Sequence, residues 1–262
     1  MSAPPDRQPN PNEAAAASPV ARNGAEPRAG AHALTHLPSY LRFLSVAVLG
    51  LALDLWSKHW AFHTLGQRHE SRVIIPHVLE FQTMLNSGAL FGIGGGQTLL
   101  FLLASVCALL LVFWMFAQSS PRRWALQLAL GGILAGALGN MYDRVLVRLL
   151  EKPWPLGGRA VYMVRVGHNA QGVSIQAYPP TEASRTFTVP PGEMPREIGF
   201  VRDFIKIPTR WFGGREVWPW VFNFADVLLV GGVAVLALHL WRDRKHGRRR
   251  ERNAVDSRAS PA

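Results

Sequence analysis

Two aspartates are the residues in this chain best suited to chemistry. Asp226 lies in Phe222-Asn223-Phe224-Ala225-Asp226, at the mouth of an apolar run that reaches to about Trp241. Asp203 lies upstream, in Phe200-Val201-Arg202-Asp203-Phe204. A carboxylate at the edge of a membrane-length helix is costly, which makes Asp226 a candidate functional residue. Two carboxylates brought together can hold one proton between them, because like charge and partial desolvation split their apparent pKa values. The ionised member draws a proton from an attacking water, and the neutral member donates a hydrogen bond to the developing oxyanion. That is aspartic peptide hydrolysis. Residue types and spacing favour the pair Asp203/Asp226 only modestly over Asp143/Asp226.

Other chemistries lack their parts. His59 and His63 are spaced i, i+4, but Trp60 stands where a His-Glu-x-x-His zinc protease needs Glu. No Gly-x-Ser-x-Gly elbow is present. Gly92-Ile93-Gly94-Gly95-Gly96 lacks the Lys-Ser/Thr of a phosphate loop and reads as a flexible entry to an apolar segment. The single cysteine, Cys107, excludes a disulfide scaffold. No metal or cofactor is expected.

The elements that must position the aspartates are apolar. Four stretches, about Phe43–Phe62, Leu99–Phe116, Trp124–Tyr142 and Val221–Trp241, approach the roughly 20 residues a bilayer crossing needs. The fold class is therefore an α-helical polytopic membrane protein with four transmembrane helices. Residues 1–40 read as a disordered cytoplasmic tail, 41–241 as the membrane domain and 242–262 as a basic cytoplasmic tail. No cleavable signal peptide is expected, so the first apolar segment stays as an anchor. The net charge of +11 reflects that tail and marks topology and anionic lipid rather than nucleic acid. Arg122 and Arg123 in the second link agree, so both termini are expected on the cytoplasmic side.

That topology sends every unusual polar group to one face, the outer one. Asp54 and Lys58, at i, i+4, suit a helical ion pair. Asn86-Ser87-Gly88 precedes the second segment, and Gly139-Asn140-Met141-Tyr142-Asp143-Arg144 ends the third. Gly132 and Gly136 form a small-xxx-small pair that lets helix backbones approach closely. Residues 146–198 form an insertion in the outer loop. Ala160–Val166, Val173–Tyr178 and Thr186–Val189 read as short strands there, with turn residues at His168–Gly172.

These motifs, in this order, resemble bacterial lipoprotein signal peptidase (signal peptidase II). They are Asp54-Leu55-Trp56-Ser57-Lys58, Asn86-Ser87-Gly88-Ala89-Leu90-Phe91-Gly92, Gly136–Arg144, Val201-Arg202-Asp203-Phe204 and Phe222–Asp226. The resemblance implies a small extracytoplasmic β-cradle beside the four helices, and an intramembrane aspartic endopeptidase of the inner membrane. It implies diacylglyceryl-modified prolipoproteins as substrates, cut before the lipidated cysteine, and Asp203 and Asp226 as the catalytic pair near the outer face. Asp54, Lys58, Asn86, Gly88, Phe91, Gly132, Gly136, Asn140, Arg144, Asn223 and Ala225 are implied to bind substrate or hold the helices. The chain departs from the family pattern in two ways: the long gap between Arg144 and Val201, and Arg202 where an apolar residue is usual. The alternatives are a transporter that uses the same carboxylates and a non-catalytic lipoprotein-binding homologue.

Overall fold

An apolar run in a bilayer becomes a helix because a helix satisfies its backbone N–H and C=O groups within its own segment. The structure is a computed structural model that describes residues 33–66, 71–88, 97–152, 161–169, 171–178, 184–211 and 214–259. The helices are α1 (Leu37–Thr64), α2 (Thr98–Gln118), α3 (Trp124–Leu146) and α4 (Phe224–Ala259). By length and composition each contains a stretch able to cross a membrane. α3 is the central helix. In its apolar window 67% of residues are buried, against 11% in α2 and α4, and it packs on all three of the others.

The glycines of α3 make that centrality possible. A Cβ on Gly131 would meet the Phe43 carbonyl of α1, and one on Gly136 would meet the Ala225 carbonyl of α4. Gly132 faces the Leu228 carbonyl, and a Cβ on Gly139 would occupy the place of the Asp54 carboxylate. These small residues let the backbones close in, which is the source of helix association where burial from water supplies no drive.

The helix limits differ from the sequence expectation at two points. α1 begins at Leu37, with Pro38 in its first turn, and Gln127 Nε2 donates to Ser39 Oγ at 3.1 Å. The apolar run that reads as one segment from Val221 is divided. Val221 and Phe222 end a strand, and the helix starts at Phe224 and continues to Ala259.

Two antiparallel sheets complete the fold. The cradle has the order β1 (Ser71–Ile75), β2 (Leu79–Asn86), β8 (Val201–Arg210), β9 (Glu216–Phe222). Its register sets Met84 opposite Asp203 and Asn86 opposite Val201. The motif bearing Asp203 is thus part of a central strand. The second sheet lies within the insertion: β6 (Thr186–Val189), β5 (Gly172–Ala177), β4 (Val161–Asn169), β3 (Arg148–Lys152), β7 (Arg196–Gly199).

The insertion leaves and returns at one point. β3 pairs with β7, so that Arg148 lies opposite Gly199. Phe200 N–H donates to the Val147 carbonyl at 2.9 Å, and Val147 N–H to the Asp143 carbonyl at 2.7 Å. Leu149, Ile198 and Phe200 bury themselves at this neck. The end of α3 and the start of β8 are therefore adjacent, despite the residues between them.

Two predictions follow from this packing. Replacing 149–198 by a two-residue turn should leave a folded four-helix protein with a lower thermal midpoint in detergent; aggregation or loss of helical signal would contradict the closed neck. Gly136→Val should cost about 1–3 kcal/mol through overpacking against α4. Gly231→Ala, which meets nothing within 4 Å, should leave the midpoint nearly unchanged.

Candidate functional site

The start of α4 builds the first half of the site. Asp226 N–H donates to Asn223 Oδ1 at 3.0 Å, and Asn223 N–H donates to Asp226 Oδ2 at 3.1 Å. This reciprocal cap satisfies helix N–H groups that have no intrahelical acceptor. It fixes the Asp226 carboxylate in the first turn, where the helix dipole favours negative charge. The next free donor, Ala225 N–H, bonds to Asp54 Oδ1 at 2.8 Å.

β8 supplies the second half. Asp203 is buried, and each of its oxygens accepts one amide. Asn223 Nδ2 donates to Oδ1 at 2.6 Å, and Asn86 Nδ2 to Oδ2 at 3.0 Å. Asn86 is oriented by its own turn, because its Oδ1 accepts from Gly88 N–H at 2.9 Å. Arg144 Nη2 then holds the Gly88 carbonyl at 2.8 Å, and its guanidinium lies 5.0 Å from the centre of the Phe101 ring. One residue thus touches both aspartates: Asn223 reaches Asp203 with its side chain and Asp226 with its backbone.

Behind the aspartates lies a buried charge ladder. Lys58 Nζ meets Asp54 Oδ2 at 2.8 Å, Asn140 Oδ1 at 3.1 Å and Asp143 Oδ2 at 3.3 Å. Lys58, Asp54 and Asp143 are fully buried. With its oxygen committed to Lys58 and to Asn223 Nδ2, Asn140 turns its amide to Asp226 Oδ1 at 2.8 Å. Asp143 is spent on this ladder and on Arg202, and does not line the cavity that contains Asp203 and Asp226. Spacing had left these two candidate partners almost level.

That cavity has a volume of about 270 Å³. Its polar end carries Asp203, Asp226, Asn86, Asn140 and Arg144, and its other wall is α2, with Phe101, Ala104, Ser105 and Ala108. Burial and the neighbouring Asp226 charge hold the Asp203 carboxyl well above the ordinary carboxylate range. The two amide donors and Lys58 only partly offset this.

A family model described as Signal peptidase (SPase) II matches residues 46–242. The chain belongs to the signal peptidase II family. The lipoprotein signal peptidase of Rhodopirellula baltica is 40% identical over 109 residues, covering 40% of this chain and 49% of that protein. The lipoprotein signal peptidase of Clostridium novyi is 34% identical over 100 residues, covering 38% of this chain and 67% of that protein. The chain thus spans about half the length of the first relative and two thirds of the second. A solved bacterial membrane enzyme shares the fold, with a TM-score of 0.52 at 24% identity over 80% of this chain and 90% of that one.

Most residues that the family motifs single out meet in this network: Asp54, Lys58, Asn86, Gly88, Asn140, Arg144, Asn223 and Ala225, together with Asp203 and Asp226. Gly132 and Gly136 stand apart from the cavity and space α3 from α4. Phe91 lies outside the described residues, as does the glycine run at 92–96. Sequence reasoning did not find the α2 wall. The signal there is a cluster of small residues, Ala104, Ser105, Cys107 and Ala108, in a run otherwise rich in Leu, Val and Phe. Gly139, in the motif that ends α3, makes room for the Asp54 carboxylate.

Lys58→Met leaves Asp54 and Asp143 buried without their shared ammonium. A loss of about 3–5 kcal/mol is expected, as for breaking one side of a buried ion pair. Thermal unfolding in detergent at neutral pH checks it, and adding Asp54→Asn should recover part of the loss. An unchanged midpoint in Lys58→Met would show that the ladder is not a support.

Proposed function

We propose that the protein is an intramembrane aspartic endopeptidase that removes signal peptides from diacylglyceryl-modified prolipoproteins, cleaving just before the lipidated cysteine. Membership of the signal peptidase II family supports the substrate class. The observation that carries the mechanism is the placement of Asp203 and Asp226 in one cavity under a shared asparagine.

The pair holds one proton. A water between the carboxyl groups loses a proton to the ionised member as its oxygen attacks the scissile carbonyl. The protonated member donates to the carbonyl oxygen as it becomes an oxyanion. Collapse of the tetrahedral intermediate breaks the C–N bond, and the leaving amine takes the proton back from the pair. Asn86, Asn140 and Asn223 fix the carboxyl planes, so that little reorganisation accompanies the reaction. The apolar wall of α2 suits a substrate that arrives from lipid.

The reading places the site near the outer face of the inner membrane, with both termini in the cytoplasm. Arg123 at the start of α3 pairs with Asp243 of α4 at 2.8 Å. The basic link and the start of the basic tail thus share the end of the bundle opposite the aspartates, as the positive-inside rule requires.

Cleavage of a lipidated prolipoprotein by the purified protein tests the proposal. Asp203→Asn and Asp226→Asn are each expected to reduce the rate by about 10²–10⁴-fold or more. Full cleavage by either variant would refute the dyad.

A further inference from the structure

The residue before Asp203 is a cation with a demanding set of contacts. Arg202 Nη2 and Nε reach Asp143 Oδ1 at 2.7 and 3.1 Å, and Arg202 N–H reaches Asp143 Oδ2 at 3.0 Å. One residue thus grips both oxygens of a fully buried carboxylate on α3. Alternation along β8 sends Val201 and Asp203 into the cleft and Arg202 to the other face. There Arg202 lines a second cavity of about 450 Å³ beside His59, His63, Arg148 and Tyr178. Arg202 therefore acts from behind the aspartates and does not face the first cavity.

The contacts continue past Asp143. Asp143 meets Lys58, Lys58 meets Asn140, and Asn140 donates to Asp226. Arg202 is covalently next to Asp203 and joined to Asp226 through the buried Asp143 and Lys58 and the half-buried Asn140. It also balances charge. Asp54 and Asp143 face Lys58 and Arg202, two charges of each sign; without Arg202 the ladder carries one net negative charge beside the pair. Among the described residues Arg144 is a further cation beside the pair: its guanidinium bonds the carbonyls of Gly88 and Asn140, and its charge also acts on Asp203 and Asp226.

We propose that Arg202 is a positioning residue for the peptidase reaction: its clamp on Asp143 seats the Asp203 strand against α3 and balances the ladder that aims Asn140 at Asp226. This rests on the peptidase reading above. Among the described residues, the charged and titratable groups around the pair are Asp54 and Lys58 of α1, Asp143 and Arg144 of α3, and Arg202 itself, with His59, His63, Arg148 and Tyr178 in the second cavity. Removing the Arg202 charge leaves Asp143 with Lys58 as its cation and the ladder with one net negative charge; a nearby negative charge disfavours ionised carboxylates, so the pair is expected to lose its proton at higher pH.

The test uses the full chain in detergent, with Arg202→Gln and Arg202→Lys compared at equal amounts of folded protein. Arg202→Gln should lower kcat about 10- to 100-fold, the cost of a small misplacement, with KM within about threefold. Arg202→Lys restores the charge but not the fork, and should recover part of kcat. In an infrared titration, the protonated-carboxyl band that disappears in Asp203→Asn should move to higher pH in Arg202→Gln and return towards the wild-type midpoint in Arg202→Lys. Wild-type kcat and midpoint in folded Arg202→Gln overturn the proposal, as does a variant that loses thermal stability alone. Should Arg202→Gln not fold, reduced kcat with an unshifted midpoint in Arg202→Lys supports the proposal, and wild-type kcat overturns it. The infrared midpoint is read without substrate. Failure of the wild type to cleave therefore sinks the peptidase reading separately, while the midpoint still decides whether Arg202 biases the pair.

Discussion

An ammonium group with no access to water has to be surrounded by acceptors, and the rest of this structure is arranged around that requirement. Lys58 reaches Asp54, Asp143 and Asn140. Each of these then uses its remaining capacity on a different element. Asp54 takes the Ala225 N–H and so holds the start of α4. Asp143 takes Arg202 and holds β8. Asn140 gives its amide to Asp226. A buried ion pair is a poor source of net stability, but breaking one is costly. The ladder therefore matters less as glue than as a constraint on where α1, α3, β8 and α4 can sit.

The asparagines convert that constraint into geometry at the aspartates. An amide has a donor end and an acceptor end, so fixing one end aims the other. Asn140 is aimed by Lys58, Asn86 by its turn onto Gly88, and Asn223 by the first turn of α4. All three amides point at carboxylate oxygens. The insertion does not disturb this arrangement because its first and last strands pair with each other. The chain between Asp143 and Arg202 closes on itself before it can separate them.

The sequence made the local part of this legible. The i, i+4 spacing of Asp54 and Lys58 predicted their ion pair, and apolar length predicted four helices. Three strands of the insertion were visible from β-rich runs between turn residues. The non-local part was not visible. Asp203 meets Asn86 only through the β2–β8 register, and in strand β8 the alternation of Val201, Ile205 and Ile207 with Arg202, Lys206 and Pro208 is broken at Asp203 and Phe204. The boundary of α4 was blurred because Val221 and Phe222, apolar residues of β9, run straight into the helix; the cap residue Asn223 marks the true start. Spacing also could not choose between Asp143 and Asp203. That distinction depends on which carboxylate the cations Lys58 and Arg202 consume.

In the proposed dyad Asp203 and Asp226 share one proton, in a site where burial and the Asp226 charge hold the Asp203 carboxyl above the ordinary carboxylate range. The pH dependence of kcat/KM for cleavage of a lipidated prolipoprotein tests it most directly. A bell-shaped profile is predicted, with its alkaline limb well above the ordinary carboxylate range, where the shared proton is lost. A profile that rises once through the ordinary carboxylate range and then stays level would rule out a shared proton.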